Sequence, residues 1–171
     1  MIAMNLPSET SPAYQAIVAA PGFALGVRCN ADEITAIEFL EAQPEVAAQT
    51  PLAAEAIRQL RAYLADPGFT FGLPLKPAGT NFQRRVWQEI AAIPTGRTDT
   101  YGELAKRLKN APRAVGQACG ANPYPLVVPC HRVVAAGGGL GGFNRQGGGF
   151  LLEVKRWLLR HEGIPLDAPA R

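Results

Sequence analysis

Apolar positions fall into two rhythms along the chain, and the change between them divides it. In the first half, three short runs, Tyr14–Ala20, Phe23–Cys29 and Ile34–Leu40, read as strands, with Pro21-Gly22 as a hairpin-type turn between the first two. A helix follows over Pro51–Ala65, where proline suits the first turn and Ile57, Leu60 and Leu64 line one face. Asp66–Gly79, irregular and interrupted by glycine and proline, reads as a linker. The second half carries helix signals. Thr80-Asn81-Phe82-Gln83 fits a capping box ahead of the stripe Phe82, Val86, Ile90 and Ile93, which Pro94-Thr95-Gly96 ends. Thr100-Tyr101-Gly102-Glu103 is a second capping box and opens a short helix to Leu108. Lys109-Asn110-Ala111 turns the chain, and Pro112 starts another helix, PRAVGQACG. The expected organisation is an α/β unit over residues 1–76, a small antiparallel sheet plus a helix, and a mostly α unit over 77–171.

Two short helices joined by a tight turn resemble a helix-turn-helix, an arrangement also common in ordinary cores. The second helix is unusual in its side chains: Ala114, Gly116, Ala118, Gly120 and Ala121 are small, and Arg113 and Gln117 are its main polar projections. Helices that read base sequence carry several long polar side chains. This one permits close approach to a groove without reading sequence, or tight packing against another helix.

Composition is that of a globular protein, 47% hydrophobic and 18% charged, with net charge +3. The charge is unevenly placed. Through Lys76 there are four Lys/Arg against eight Asp/Glu, and from Pro77 onward thirteen against six. A basic second half suits a polyanion partner, although a scattered solvated surface gives the same count. The start, MIAMNLPSET, lacks the basic and apolar regions of a secretory signal, no apolar run is long enough to span a bilayer, and three cysteines form no disulfide framework. A reducing, cytoplasmic location is expected.

The chemistry concentrates in LVVPCHRVV, residues 126–134, where Pro129-Cys130-His131-Arg132 interrupts two aliphatic runs. Structural zinc needs four ligands, usually in paired spacings, and Cys29, Cys119 and His161 make no such pair with Cys130 and His131. A nucleophilic cysteine needs a base or a cation to form thiolate. His131 is adjacent, but strand neighbours point to opposite sides, so contact requires a bend at Pro129 or a bridging water. Glu162 and Glu153 are candidates to orient the imidazole. A buried, inert thiol is the other reading of the same residues.

Pro129-Cys130-His131-Arg132-Val133-Val134 resembles the active-site signature of the O6-methylguanine-DNA methyltransferases, also called O6-alkylguanine-DNA alkyltransferases. The surrounding motifs occur in that family's order: Gly79-Thr80-x-Phe82-Gln83-x-x-Val86-Trp87, Ile93-Pro94-x-Gly96-x-Thr98, Tyr101-Gly102-x-Leu104-Ala105 and Arg113-Ala114-Val115-Gly116. Asn122-Pro123, Gly141-Gly142-Phe143 and Lys155-Arg156-Trp157-Leu158-Leu159-x-x-Glu162-Gly163 complete the resemblance over residues 79–163.

The resemblance implies direct repair: minor-groove binding, extrusion of an alkylated guanine, and irreversible transfer of its alkyl group to the protein's own cysteine; it leaves open whether O4-alkylthymine is also a substrate. By that resemblance Cys130 is the acceptor, His131 its base through water, and Glu162 the residue that orients His131. Asn122 braces the turn before the active-site segment. Tyr101 presses on the target phosphate and donates a proton to the leaving guanine, and Arg113 fills the gap in the base stack. Ala114, Gly116, Gln117 and Gln83 join Tyr101 and Arg113 at the DNA. Pro125, Val133 with the Cys130 backbone, Phe143 and Asn144 line the guanine pocket. The resemblance further implies a ribonuclease-H-like first unit, a helix-turn-helix in the second, no cofactor or metal, and a monomer whose partner is duplex DNA containing alkylated guanine, without membrane or obligate protein partners. The chain is shorter than some relatives between Tyr101 and Arg113, and longer between Phe143 and Lys155, where Asn144–Gly149 borders the pocket. A non-catalytic lesion binder and a plain helix-turn-helix regulator are the competing readings; the first lacks an acceptor cysteine and the second needs a helix that reads sequence.

Overall fold

The computed structural model describes residues 14–141 and 149–166. Strands β1 (Ala16–Ala20), β2 (Phe23–Cys29) and β3 (Ile34–Glu41) form an antiparallel sheet in the order β1-β2-β3. The Pro21-Gly22 hairpin pairs Ala20 with Phe23, and Gly22 takes φ 86°, a conformation open to glycine at little cost. Val18, Phe23, Leu25, Val27 and Ile37 point into the core beneath helix α1 (Pro51–Ala65). The Thr50 side chain caps α1 by accepting from the Ala53 amide at 3.1 Å. The buried face of α1 is Ala53, Ala56, Ile57, Gln59, Leu60 and Tyr63, while Leu64 is only partly buried.

Residues 66–79 do more than link. The Ile34 amide donates to the Pro74 carbonyl at 2.7 Å and the Lys76 amide to the Ile34 carbonyl at 2.9 Å, so the segment docks along β3. Phe69, Phe71, Leu73 and Leu75 pack against the core. Apolar residues in an irregular, proline-rich segment have no period to reveal them, yet each, partly buried, gains a share of the roughly 1.5–3 kcal/mol that full burial is worth.

Helices α2 (Asn81–Ala91), α3 (Tyr101–Leu108), α4 (Pro112–Gly120) and α5 (Phe150–His161) make up the second half. Both capping boxes form: Thr80 with Gln83 opens α2, and Thr100 with Glu103 opens α3. The turn from α3 to α4 uses Lys109 in the left-handed region, φ 55°. Trp87 on α2 donates its indole N–H to the Ala118 carbonyl of α4 at 2.9 Å, locking these helices together. Helix α5 is absent from the pattern-based assignment, although Val154, Leu158 and Leu159 give it a helical apolar stripe. Two-residue strands β4 (Asp99–Thr100) and β5 (Val133–Val134) pair in parallel and tie the start of α3 to the end of the Cys-His-Arg segment.

Gly79 precedes α2 at φ 85°, and a Cβ there would lie 2.6 Å from the Trp87 ring and 2.9 Å from Gln83 Oε1. Gly79→Ala combines backbone strain with a clash and is expected to cost about 2 kcal/mol, or about 5 °C in melting temperature. Gly72→Ala, where a Cβ meets nothing within 4 Å, serves as the near-neutral control in the same thermal melts.

Candidate active site

Proline and hydrogen bonding shape the Cys-His-Arg segment as a turn, not the extended strand that its aliphatic flanks suggest. Leu126 sits at φ 76° after Pro125, and Pro125 and Val128 bridge across it. Pro129, with φ −82° and ψ 67°, bends the chain so that the Cys130 amide donates to the Val128 carbonyl at 2.8 Å. Cys130, His131 and Arg132 then form one turn of 3₁₀ helix, all three buried. This local geometry supplies the bend that separates the Cys130 and His131 side chains from strand alternation.

Cys130 is 3% exposed. Asn122, just beyond α4, braces it: its side-chain amide donates to the Val128 carbonyl at 2.9 Å and to Cys130 Sγ at 3.2 Å. Asn122 Oδ1 accepts from the Tyr124 amide at 2.9 Å, so both ends of the side chain are committed. A hydrogen bond with the neighbouring thiol of Cys119, together with burial, pushes the Cys130 thiol up; the Asn122 amide and the Lys155 charge draw it down. At rest Cys130 is therefore a thiol, and a base must remove its proton to make it nucleophilic.

His131 is the next residue, and its two ring nitrogens are differently engaged. Its Nε2 meets Glu162 Oε2 at 2.7 Å, and a carboxylate there requires the proton on Nε2, leaving Nδ1 as the acceptor. Among the described residues, Nδ1 is the one buried side-chain nitrogen or oxygen without a hydrogen-bond partner. Burial, with the charges of Arg132 and Lys155, pulls the imidazole below its ordinary value despite the opposing carboxylate, so it rests neutral.

Glu162 caps α5 at 5% exposure. Besides His131, it accepts from Arg132 Nε at 2.8 Å and Nη2 at 3.0 Å, and from the Tyr63 hydroxyl at 2.6 Å. Burial alone would raise its carboxyl, but hydrogen bonds from His131, Arg132 and Tyr63 override this and hold it at about 2. Arg132 also donates to the Ile93 carbonyl at 2.6 Å and to Thr95 Oγ1 at 3.2 Å, anchoring the loop after α2. Lys155, fully buried, donates to the carbonyls of Val133 at 2.7 Å and Leu140 at 2.6 Å. Burial lowers it to about 8, though the nearby thiols oppose the shift.

Cys130, His131, Glu162 and Asn122 thus converge in one buried cluster. Tyr101 opens α3 nearby: the Cys130 and Cys119 thiols, after burial, push its phenol up, and Gly141 lies so close that a Cβ would meet its ring at 2.8 Å. Pro125 and Val133 are buried beside Cys130 in the chain, and the Val133 carbonyl already accepts from Lys155. Arg113 and Gln117 are exposed on α4, Ala114 and Gly116 partly so, and a Cβ on Gly116 would meet nothing within 4 Å. Gln83 spends its Oε1 on the α2 capping box. Phe143 and Asn144 lie outside the described residues. Tyr63, Arg132, Lys155 and Cys119 join the site without having been singled out from the sequence. Arg132 was visible only as the basic neighbour of the Cys-His pair, and Tyr63 as another apolar helix position. Among the described residues, no group of three or more His, Cys, Asp or Glu side chains gathers as a metal site.

Comparison with known proteins decides the family. Residues 81–164 match the family described as 6-O-methylguanine DNA methyltransferase, DNA binding domain. A methylated-DNA–protein-cysteine methyltransferase of Methanosarcina acetivorans is 48% identical over 111 residues, 64% of this chain and 68% of the relative. The chain belongs to the O6-methylguanine-DNA methyltransferase family. A Salmonella typhimurium methylated-DNA–protein-cysteine methyltransferase is 54% identical over 90 residues, 52% of this chain and 50% of that protein. The alignments to these two relatives thus span between half and about two thirds of their lengths. In structure, the chain is similar to a Mycobacterium tuberculosis OGT solved in complex with DNA, with TM-score 0.71 at 36% identity over 85% of this chain and 90% of the other. It is also similar to the O6-methylguanine-DNA methyltransferase of Pyrococcus kodakaraensis, with TM-score 0.57, 28% identity and coverage of 86% and 97%. The small antiparallel sheet and, among the described residues, five α-helices make the mixed α/β architecture that these methyltransferases share with this chain.

The Glu162 carboxyl titrates lower in the folded protein than in the unfolded chain. Its stabilisation is therefore complete above pH about 4.5 and drains away as pH falls toward about 2. Glu162→Gln, which leaves the buried Arg132 guanidinium without its counter-charge, is expected to lose about 3 kcal/mol at neutral pH. Urea unfolding across pH should show that loss together with a shallower acid limb than the native protein's.

Proposed function

We infer that the protein repairs alkylated DNA directly, moving the alkyl group from O6-alkylguanine irreversibly onto its own Cys130. The observation that carries this reading is the buried Cys130 thiol, held by Asn122 at 3.2 Å beside a His131–Glu162 pair at 2.7 Å whose Nδ1 is free to accept. Methylated-DNA–protein-cysteine methyltransferase is the name of its relatives, and suicide transfer is the family's mechanism.

In the transfer step His131 Nδ1 takes the Cys130 proton through a water, and the imidazolium that forms is held by Glu162. Cys130 Sγ forms a bond to the alkyl carbon as the carbon–O6 bond breaks, and the electron pair stays on the guanine. The leaving base takes a proton from Tyr101, whose raised phenol remains protonated at working pH. Solvent exchange returns the thiol's proton from His131 to Tyr101, so the net change is one thioether and one restored guanine. Nothing regenerates the thiol, which makes the protein a reagent used once.

The helix pair α3–α4 is the helix-turn-helix unit of this reading, presented to duplex DNA in the minor groove. Its small, half-buried α4 face at Ala114 and Gly116 approaches any sequence, Gln117, Gln83 and Tyr101 contact the strand, and Arg113 replaces the extruded base, offsetting part of a flipping cost of roughly a few kcal/mol. Residues 77–171 form the DNA-binding and transfer unit, and residues 1–76 a ribonuclease-H-like support. Pro125 and Val133 line the base pocket. The protein works as a monomer without cofactor, in the cytoplasm and on nucleoid DNA in a bacterial cell.

Incubation with excess duplex containing O6-methylguanine should add one methyl group per molecule, mapped by peptide mass spectrometry to Cys130. A methyl group on another residue, or unrepaired DNA, overturns the reading. Cys130→Ala should still bind the lesion duplex and transfer nothing. Arg113→Ala should slow transfer from duplex about tenfold or more while leaving the reaction with free O6-benzylguanine, which needs no base flipping, nearly unchanged.

A further inference from the structure

Glu162 Oε2 receives hydrogen bonds from three residues, and one comes from the other half of the chain. Tyr63, near the end of α1, is 1% exposed and directs its hydroxyl at this oxygen at 2.6 Å, beside His131 Nε2 at 2.7 Å and Arg132 Nη2 at 3.0 Å. We propose that Tyr63 is a positioning residue of the transfer site: by sharing Glu162 Oε2 with His131, its hydroxyl sets how strongly the carboxylate holds the imidazole proton. The proposal rests on the transfer reading above and extends it into the half of the chain that otherwise only supports the site.

The physical argument concerns a shared acceptor. A carboxylate oxygen that accepts several hydrogen bonds has its charge divided among the donors, and each holds it less tightly. Burial and the facing Glu162 carboxylate push the Tyr63 phenol far up, so it stays a neutral donor throughout the working range. Its position is fixed from several sides. The Tyr63 backbone carbonyl meets His161 Nε2 at 2.8 Å, the His161 ring packs edge-on at 5.2 Å, and Phe71 lies at 5.8 Å. The rest of the neighbourhood is cationic: Arg132 bonds the same carboxylate, and the Lys155 charge reaches His131 from α5. Removing the Tyr63 hydroxyl leaves both cations in place and concentrates carboxylate charge on His131. Imidazolium is then favoured, and His131 accepts the Cys130 proton only at higher pH.

The test is Tyr63→Phe, measured in two ways on the full-length protein. His131 ring NMR signals followed against pH should show the titration midpoint move up by about one pH unit. The single-turnover rate of transfer from an O6-methylguanine duplex should move its acid limb by the same amount, a loss of about tenfold on that limb, with the rate on the plateau nearly retained. The protein carrying 3-fluorotyrosine at position 63, a stronger donor of the same shape, should move both the opposite way, and it serves as the test if Tyr63→Phe does not fold. A lower melting temperature with both pH profiles unmoved, or a 3-fluorotyrosine protein unchanged from the native one, overturns the proposal and leaves Tyr63 a packing residue. If the native protein itself transfers no methyl group, the transfer reading fails instead, and the NMR titration still judges Tyr63.

Discussion

One buried carboxylate holds this molecule together at its centre. Taking the Glu162 charge out of water is unfavourable by several kcal/mol, and only the full set of donors offsets it. Those donors come from Tyr63 on helix α1 and from His131 and Arg132 of the Cys-His-Arg turn, and Arg132 also donates to the Ile93 carbonyl in the loop after α2. The contacts that make burial tolerable therefore also fix the neighbours of Cys130 in one arrangement. Stability and chemistry share one network, and neither half of the chain owns it.

The site resolves a conflict between reactivity and protection. A permanently ionised, exposed thiolate would react with any electrophile, and the protein has a single use of its cysteine. Here the Cys119 thiol and burial raise the Cys130 thiol, while the Asn122 amide and the Lys155 charge favour the thiolate. Asn122 links this to the exposed side of α4, because it follows that helix directly and donates to Cys130 Sγ at 3.2 Å. Helix α4 in turn is tied to α2 through Trp87, so the exposed face bearing Arg113 and the buried thiol belong to one rigid unit.

Much of the frame was legible from local signals. The Pro21-Gly22 hairpin, the α1 boundaries and both capping boxes depend on neighbours in sequence, and the structure forms each of them. The exceptions share a cause. Residues 66–79 dock through apolar side chains without period, and α5 hides its stripe behind a glycine-rich approach. The flanks of LVVPCHRVV carry strand-forming residues, but Pro125 and Pro129 remove donors and fix backbone angles, so turns replace most of the strand. Cys130, His131 and Glu162 were identifiable through family motifs, and His131 and Glu162 meet at 2.7 Å. Tyr63 was not, because its ring satisfies the apolar pattern of α1 while its hydroxyl does the distinctive work, 99 residues away in sequence from its partner. Long-range polar contacts from core-like residues leave no periodic trace.

The central claim is that Cys130 draws its reactivity from the His131–Glu162 pair and not from burial alone. The most direct measurement is the rate of Cys130 alkylation by free O6-benzylguanine in the Glu162→Gln protein, at a temperature where circular dichroism shows it folded. The account predicts a fall of about 100-fold, the order expected when general-base assistance is lost. A folded Glu162→Gln protein reacting at the native rate would contradict it.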